Sequence, residues 1–298
     1  MNWTDPTVAI VLTGALVGMS GALLGSFLVL RGNSMLADAI SHSILFGIAI
    51  AWLLTGQTSG PLQIVGAALS GVLAVFLIEL LTRSRRLRDD AAIGLVFPAL
   101  FSAGVVLINL YAADVHLDEH TVLLGEIGFI WLDTVTLMGV EVPRATLTLG
   151  VMLLVDAAFV LAFFKTLKLA TFDTDLARVL GLMPGLVFYA HLSLLSGTAV
   201  AAFDAVGVVL FVSFVVVPPA AAYLVTQRLV SLIVLALGIA AASAPIGYWL
   251  ALWWDVSIGG MMALSTGGFL LLCYGWRRFA DRRALGSTPV QPPPSASA

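Results

Sequence analysis

Residues 8–30 read VAIVLTGALVGMSGALLGSFLVL, with no charged side chain among them. An α-helix rises about 1.5 Å per residue, so about 20 apolar residues cross the hydrocarbon layer of a bilayer. A run of this length and polarity decides the fold: it is a membrane-spanning helix. It lacks the basic n-region and small-residue cleavage site of a secretory leader, so it is expected to stay as the first transmembrane segment. Gly14, Gly18, Gly21 and Gly25 recur along it, a spacing that lets neighbouring helix backbones approach closely where lipid supplies no hydrophobic drive.

Working outward at the same length, further spans are predicted at 36–54, 61–82, 91–110, 145–164, 185–203, 205–226, 229–253 and 258–275. The chain therefore reads as an all-α, polytopic integral membrane protein with about 8–9 transmembrane helices. Composition agrees. Of 298 residues 60% are hydrophobic and only 10% charged, and the mean hydropathy is +1.05, whereas a soluble domain carries about 25% charged residues. The lone cysteine, Cys273, excludes a disulfide framework or a thiolate zinc site. A net charge of −3, with the basic residues in short clusters, gives no surface for nucleic acid.

Basic residues favour cytoplasmic loops. With the N-terminus outside, Arg31, the cluster Arg83, Arg85, Arg86 and Arg88, then Lys165, Lys168, Arg178, Arg228 and the C-terminal Arg277, Arg278, Arg282 and Arg283 all fall inside. Only Arg144 falls outside, and the C-terminus is cytoplasmic. Trp3, Trp52, Trp253, Trp254 and Trp276 lie near segment ends, where indole rings anchor at the headgroup layer. The stretch 121–143 is interrupted by Glu126 and Asp133 and is expected to form short interfacial or re-entrant structure on the outer side. Residues 1–283 read as one transmembrane domain, and the Pro/Ser/Ala-rich 284–298 as a disordered cytoplasmic tail.

Ionisable groups within lipid-spanning segments are expensive and mark candidate sites. Asp38 and His42 arrive together, four residues apart and so on one helix face. They make half of a metal site, with an ion pair within the helix as the plain alternative. A second copy of the helix across a two-fold axis would complete a mixed nitrogen and oxygen set suited to a first-row divalent ion. Glu79 is expected to pair with the Arg83 cluster, and Asp156 to be either neutral or paired across helices. His191 reads as a hydrogen-bonded structural histidine, and Asp204 as a helix cap.

Between Phe164 and Pro184 the chain is too polar to span. Thr171 or Asp173 can cap a short helix from about Thr174, and Gly181 can end it. Asp175-x-Ala177-x-x-x-Gly181 resembles the Glu/Asp-x-Ala-x-x-x-Gly signature of ABC-importer permeases. The block Arg31-Gly-Asn-Ser-Met-Leu-Ala-Asp38-Ala-Ile-Ser-His42-Ser-Ile-Leu-Phe-Gly is similar to one in the manganese, zinc and iron permeases of that class. Asp90-Ala-Ala-Ile-Gly94-Leu-Val-Phe, Val115-His-Leu-Asp118-x-x-x-Val-Leu-x-Gly-Glu126, and Ala205-Val-Gly-Val-Val followed by Val-Pro218-Pro-Ala-Ala-Ala-Tyr match it further. Phe46 departs from a common Pro, and Pro218-Pro219 doubles a usual single one; the pair is expected to kink its helix near the pathway.

The resemblance implies a fold related to the vitamin B12 and siderophore permeases. It implies a second permease subunit, homodimeric or homologous, two cytoplasmic ABC ATPase subunits and an extracytoplasmic metal-binding protein in a bacterial inner membrane. It makes Asp38 and His42 metal-pathway residues, and a coupling helix near 172–183, with Asp173, Asp175, Ala177 and Gly181, the ATPase contact. His116, Asp118, His120 and Glu126, with Glu119, offer an outer entry or docking cluster. No Gly-x-x-x-x-Gly-Lys-Ser/Thr occurs, so the chain is read as no enzyme, holds no cofactor and leaves ATP to a partner. The cargo is read as manganese, with zinc or ferrous iron as alternatives. Among rival readings, a proton-coupled transporter would not need the coupling turn, an intramembrane metalloprotease would need a His-Glu-x-x-His that is absent, and a siderophore or cobalamin permease would not need the Asp/His pair.

Overall fold

The computed structural model describes residues 5–56, 61–84, 86–111, 127–137 and 140–286. Four long helices open the chain: α1 (Pro6–Leu30), α2 (Met35–Thr55), α3 (Pro61–Arg83) and α4 (Asp89–Tyr111). A 3-10 turn (Ile127–Leu132) and a hairpin of β1 (Thr134–Leu137) and β2 (Val140–Pro143) follow. Then come α5 (Arg144–Ala162), α6 (Phe164–Phe172), α7 (Thr174–Val179), α8 (Pro184–Val225), α9 (Leu229–Trp254) and α10 (Ile258–Gly286). Nine stretches among the described residues are long and apolar enough to cross a membrane, α8 supplying two.

The sequence divides α8 at Asp204; the structure divides it at Gly207, whose φ of 72° and ψ of 168° are non-helical. Such a φ is strained for any residue with a Cβ. The two halves then run back along one another. His191 meets the Leu24 carbonyl at 3.1 Å, and Val215 packs on Gly25 one residue further along α1. In a straight helix residues 191 and 215 would stand about 36 Å apart.

The expected kink at Pro218 and Pro219 is not where the helix breaks, for Gly207 is the non-helical residue within Pro184–Val225. The prolines act differently. Each lacks an N–H, which leaves the carbonyl four residues earlier, on Phe214 and Val215, without its helical donor. Those two residues lie against the glycine stripe of α1. A Cβ at Gly25 would collide with the Val215 carbonyl, and one at Gly21 would stand 3.4 Å from the Phe214 carbonyl carbon. Further along, Gly18 faces Phe214 and Ala240, while Gly14 faces Met262 and Ala244. The stripe thus seats α1 against α8, α9 and α10, with Phe27, Phe211 and Phe214 buried in the seam.

A second apolar cluster joins α2, α3 and α4 through Leu36, Ala39, Ala74, Ile78, Ile93 and Val96. Gly47 and Gly66 bring α2 and α3 into backbone contact, and the Ser70 hydroxyl donates to the Ser43 carbonyl at 2.6 Å. α2 runs unbroken past Phe46, whose backbone nitrogen would lie 2.9 Å from a Cβ on Gly104 of α4. The 127–143 region does not span: its elements have 6, 4 and 4 residues, too short to cross. Asp133 clasps Arg144 at 3.4 Å. The expected span 145–164 ends earlier, because Phe163 leaves helical geometry before α6 begins. α10 continues to Gly286, three residues into the expected tail, and 287–298 lie outside the described residues.

Candidate functional site in the first turns of α2

The α1–α2 turn sets how α2 leaves its neighbour. Gly32 takes φ 72°, its N–H reaches the Val29 carbonyl and that of Asn33 reaches the Leu28 carbonyl, both at 3.0 Å. This is a Schellman closure, which satisfies carbonyls that the end of α1 would otherwise leave orphaned. Asp38 falls in the first turn of α2, where a negative charge also complements the helix dipole. The pair therefore sits near one end of the helix rather than at its centre.

His42 Nε2 lies 3.5 Å from Asp38 Oδ1, with the two side chains 30% and 47% exposed respectively. That separation exceeds the usual range of an N–H···O bond. The two groups face one another within the helix, and both side chains stay accessible. Across from it, α4 supplies an aromatic wall: the His42 ring stacks on Phe97 with centroids 5.6 Å apart and meets Phe101 edge-on at 6.0 Å. Sequence patterns did not single out Phe97 and Phe101, although their four-residue spacing on one helix face was a legible signal. Among the described residues no group of three or more His, Cys, Asp or Glu could hold a metal, so Asp38 and His42 remain a two-ligand fragment. Tetrahedral or octahedral coordination needs more.

His116, Asp118, Glu119, His120 and Glu126 lie outside the described residues. Asp156, His191 and Glu79 each have a partner within the bundle. Asp156 is fully buried and accepts from the Thr198 hydroxyl at 3.1 Å on both oxygens, which makes it paired across helices. His191 is enclosed by Phe27 and Phe159 as well as bonded to Leu24. Glu79 pairs with Arg83 at 2.6 Å and accepts from the Tyr189 hydroxyl, a long-range partner no local pattern reveals. The backbone at Asp204 is helical; its side chain lies outside the described residues.

Asp173 caps α7, its carboxylate accepting from the Leu176 N–H at 2.9 Å. Ala177 is fully buried, the small residue by which this one-turn helix rests on the bundle. Gly181, at φ 74°, ends it with a second Schellman closure, Leu182 N–H to Ala177 and Gly181 N–H to Arg178, both at 3.0 Å. Asp175 and Arg178 pair at 3.0 Å on the exposed side. Around them Phe172, Val179, Leu180 and Met183 stand exposed, Val179 to 83%. That is an apolar rim no isolated soluble surface needs.

Nine membrane-length apolar stretches among the described residues make this a multi-span helical bundle, and comparison with known proteins gives its class. The chain belongs to the ABC 3 transport family, whose model matches residues 5–275. It is 46% identical over 266 residues to the manganese transport system membrane protein MntD of Bacillus subtilis (strain 168), covering 89% of this chain and 88% of that one. It is 42% identical over 268 residues to the zinc transport system membrane protein TroD of Treponema pallidum (strain Nichols), covering 90% and 73%. The solved structure of PsaBC from Streptococcus pneumoniae in complex with Fab matches with a TM-score of 0.74 at 26% identity, over 89% of this chain and 90% of that one.

Proposed function

We propose that this permease carries a divalent transition metal, manganese in the first place, from an extracytoplasmic binding protein to the cytoplasm, driven by ATP hydrolysis in a separate subunit. The observation that carries the reading is the Asp38–His42 pair, 3.5 Å apart and accessible on α2. A carboxylate and a neutral imidazole suit first-row divalent ions, and the lack of thiolate argues against a soft-metal trap. Incomplete ligation also suits transport, since a closed site would hold its ion. Two copies related by a two-fold axis would offer two carboxylates and two imidazoles to one ion. Zinc is the second reading, favoured by the TroD likeness, and ferrous iron shares the same ligand chemistry.

The N-terminus faces outside and the C-terminus the cytoplasm, an orientation supported by the basic clusters. The α7 end then meets the ATPase dimer. Asp173, Ala177 and Gly181 hold α7 as a stiff lever, Asp175 and Arg178 dress its exposed side, and the rim of Val179, Leu180 and Met183 is its contact surface. The outer cluster His116, Asp118, His120 and Glu126 serves entry or docking of the binding protein.

The test is radiolabelled manganese uptake by the reconstituted complex, with zinc and iron as competitors. Asp38→Ala and His42→Ala in a complex that still assembles should abolish uptake while ATP binding persists; normal transport by both would sink the pathway assignment. Uptake that continues without a hydrolysing ATPase would point instead to a secondary transporter.

A further inference from the structure

Where the α1–α2 turn, α3, α7 and the start of α8 meet, the structure contains a cavity of about 260 Å³. It lies on the other side of α2 from the metal pair: Leu36 lines it, and residues 36 and 38 are roughly 200° apart around a helix. Its charge is unbalanced. The Arg31 guanidinium lies 3.9 Å over the Phe188 ring and has no ion pair among the described residues. Burial pushes its pKa down with no carboxylate opposing the shift, yet an Arg stays charged.

The lining carboxylate, Glu79, is already neutralised by Arg83 and held by the Tyr189 hydroxyl. The lining Arg178 is matched by Asp175. One positive charge is left over. An uncompensated guanidinium repels a divalent cation and fits an oxyanion, which a planar Arg fork can hold through two bonds. The volume falls below the roughly 300 Å³ at which drug-sized ligand sites begin, so a single phosphate group fits and a nucleotide does not.

We propose that this cavity binds a phosphate-bearing anion, gripped by Arg31 and flanked by Arg178. The bound group bridges the turn that leads into the metal-bearing helix and the helix that the proposed function assigns to the ATPase contact, so its occupancy stiffens that link. The phosphate comes from an anionic phospholipid headgroup or from free phosphate in solution. Binding itself depends on neither the metal path nor ATP, so a failed binding test and a failed transport test are distinguishable.

The full-length chain, purified with the subunits that accompany it, is delipidated in neutral detergent. It is then titrated separately with inorganic phosphate and with short-chain phosphatidylglycerol, read by native mass spectrometry and thermal melting. One anion per permease chain is expected. Arg31→Gln weakens binding by about tenfold or more, as the loss of one charge-assisted contact requires. Arg31→Lys, a point charge in place of the fork, keeps binding detectable, and Arg178→Gln weakens it by less than Arg31→Gln. Saturation by phosphatidylglycerol that phosphate does not displace assigns a lipid; binding by phosphate alone assigns the free ion. Absence of saturable binding with both probes overturns the proposal, as does unchanged affinity in Arg31→Gln. If that variant does not assemble, Arg178→Gln takes its place: weaker binding supports the site, and unchanged affinity overturns it.

Discussion

Two acids in the spans, Asp156 and Asp38, have opposite surroundings. Asp156 has no exposed surface, and one hydroxyl from another helix bridges both its oxygens. Asp38 is 47% exposed and stands at a loose 3.5 Å from its imidazole. A buried polar group is tolerated when its partners are complete, and an incomplete one has room for a guest. Closure, rather than charge alone, separates the packing acid Asp156 from Asp38, to which we assign ion binding.

Asp38→Asn is the strongest way to break that contrast, since it keeps the shape and removes the charge. Metal uptake should fall by more than about tenfold, the equivalent of about 1.4 kcal/mol of lost ion binding, while the melting temperature of the complex stays put. A lower melting temperature with unchanged uptake per assembled complex would make Asp38 a second Asp156. The mirror experiment, Asp156→Ala, leaves the Thr198 hydroxyl buried without its acceptor and should cost about 1–3 kcal/mol of stability. Denaturant titration measures this, with uptake per folded complex expected to hold.

The two Schellman turns offer a finer comparison. Gly32→Ala and Gly181→Ala each force a Cβ into a positive φ with nothing else within 4 Å, so each should cost about 1 kcal/mol through the backbone alone. Only the change at Gly181 should also raise ATP consumed per ion moved, as counted by paired hydrolysis and uptake assays. The smallest effect belongs to Asp175→Asn. Its partner and it are both exposed, so solvent screening holds the change in stability to about 0.5 kcal/mol or less; any larger loss would show that the pair is buried by the ATPase.

Much of this was legible because lipid leaves few options. Uncharged runs of sufficient length locate the spans to within a few residues, and Asp173 and Gly181 mark α7 because caps are local chemistry. What escaped the sequence depends on which helices meet. The Glu79–Tyr189 contact joins residues 110 apart, and Phe97 became part of the site only once α4 lay against α2. The break in α8 was expected near Asp204 from polarity, but the positive φ that glycine alone adopts freely placed it at Gly207. Pro218 and Pro219 lie inside the second half of α8, and the residues whose carbonyls they leave without a helical donor are the ones that meet α1.

That last arrangement has a consequence for how such a chain can change over time. Pro219 and Gly25 are 194 positions apart in the sequence, yet they belong to one close contact. A Cβ at 25 would meet the Val215 carbonyl carbon at 2.7 Å and its Cγ1 at 2.9 Å, so position 25 stays bare backbone whichever residue stands at 219. Lineages that lose this glycine while keeping the seam between α1 and α8 should be rare.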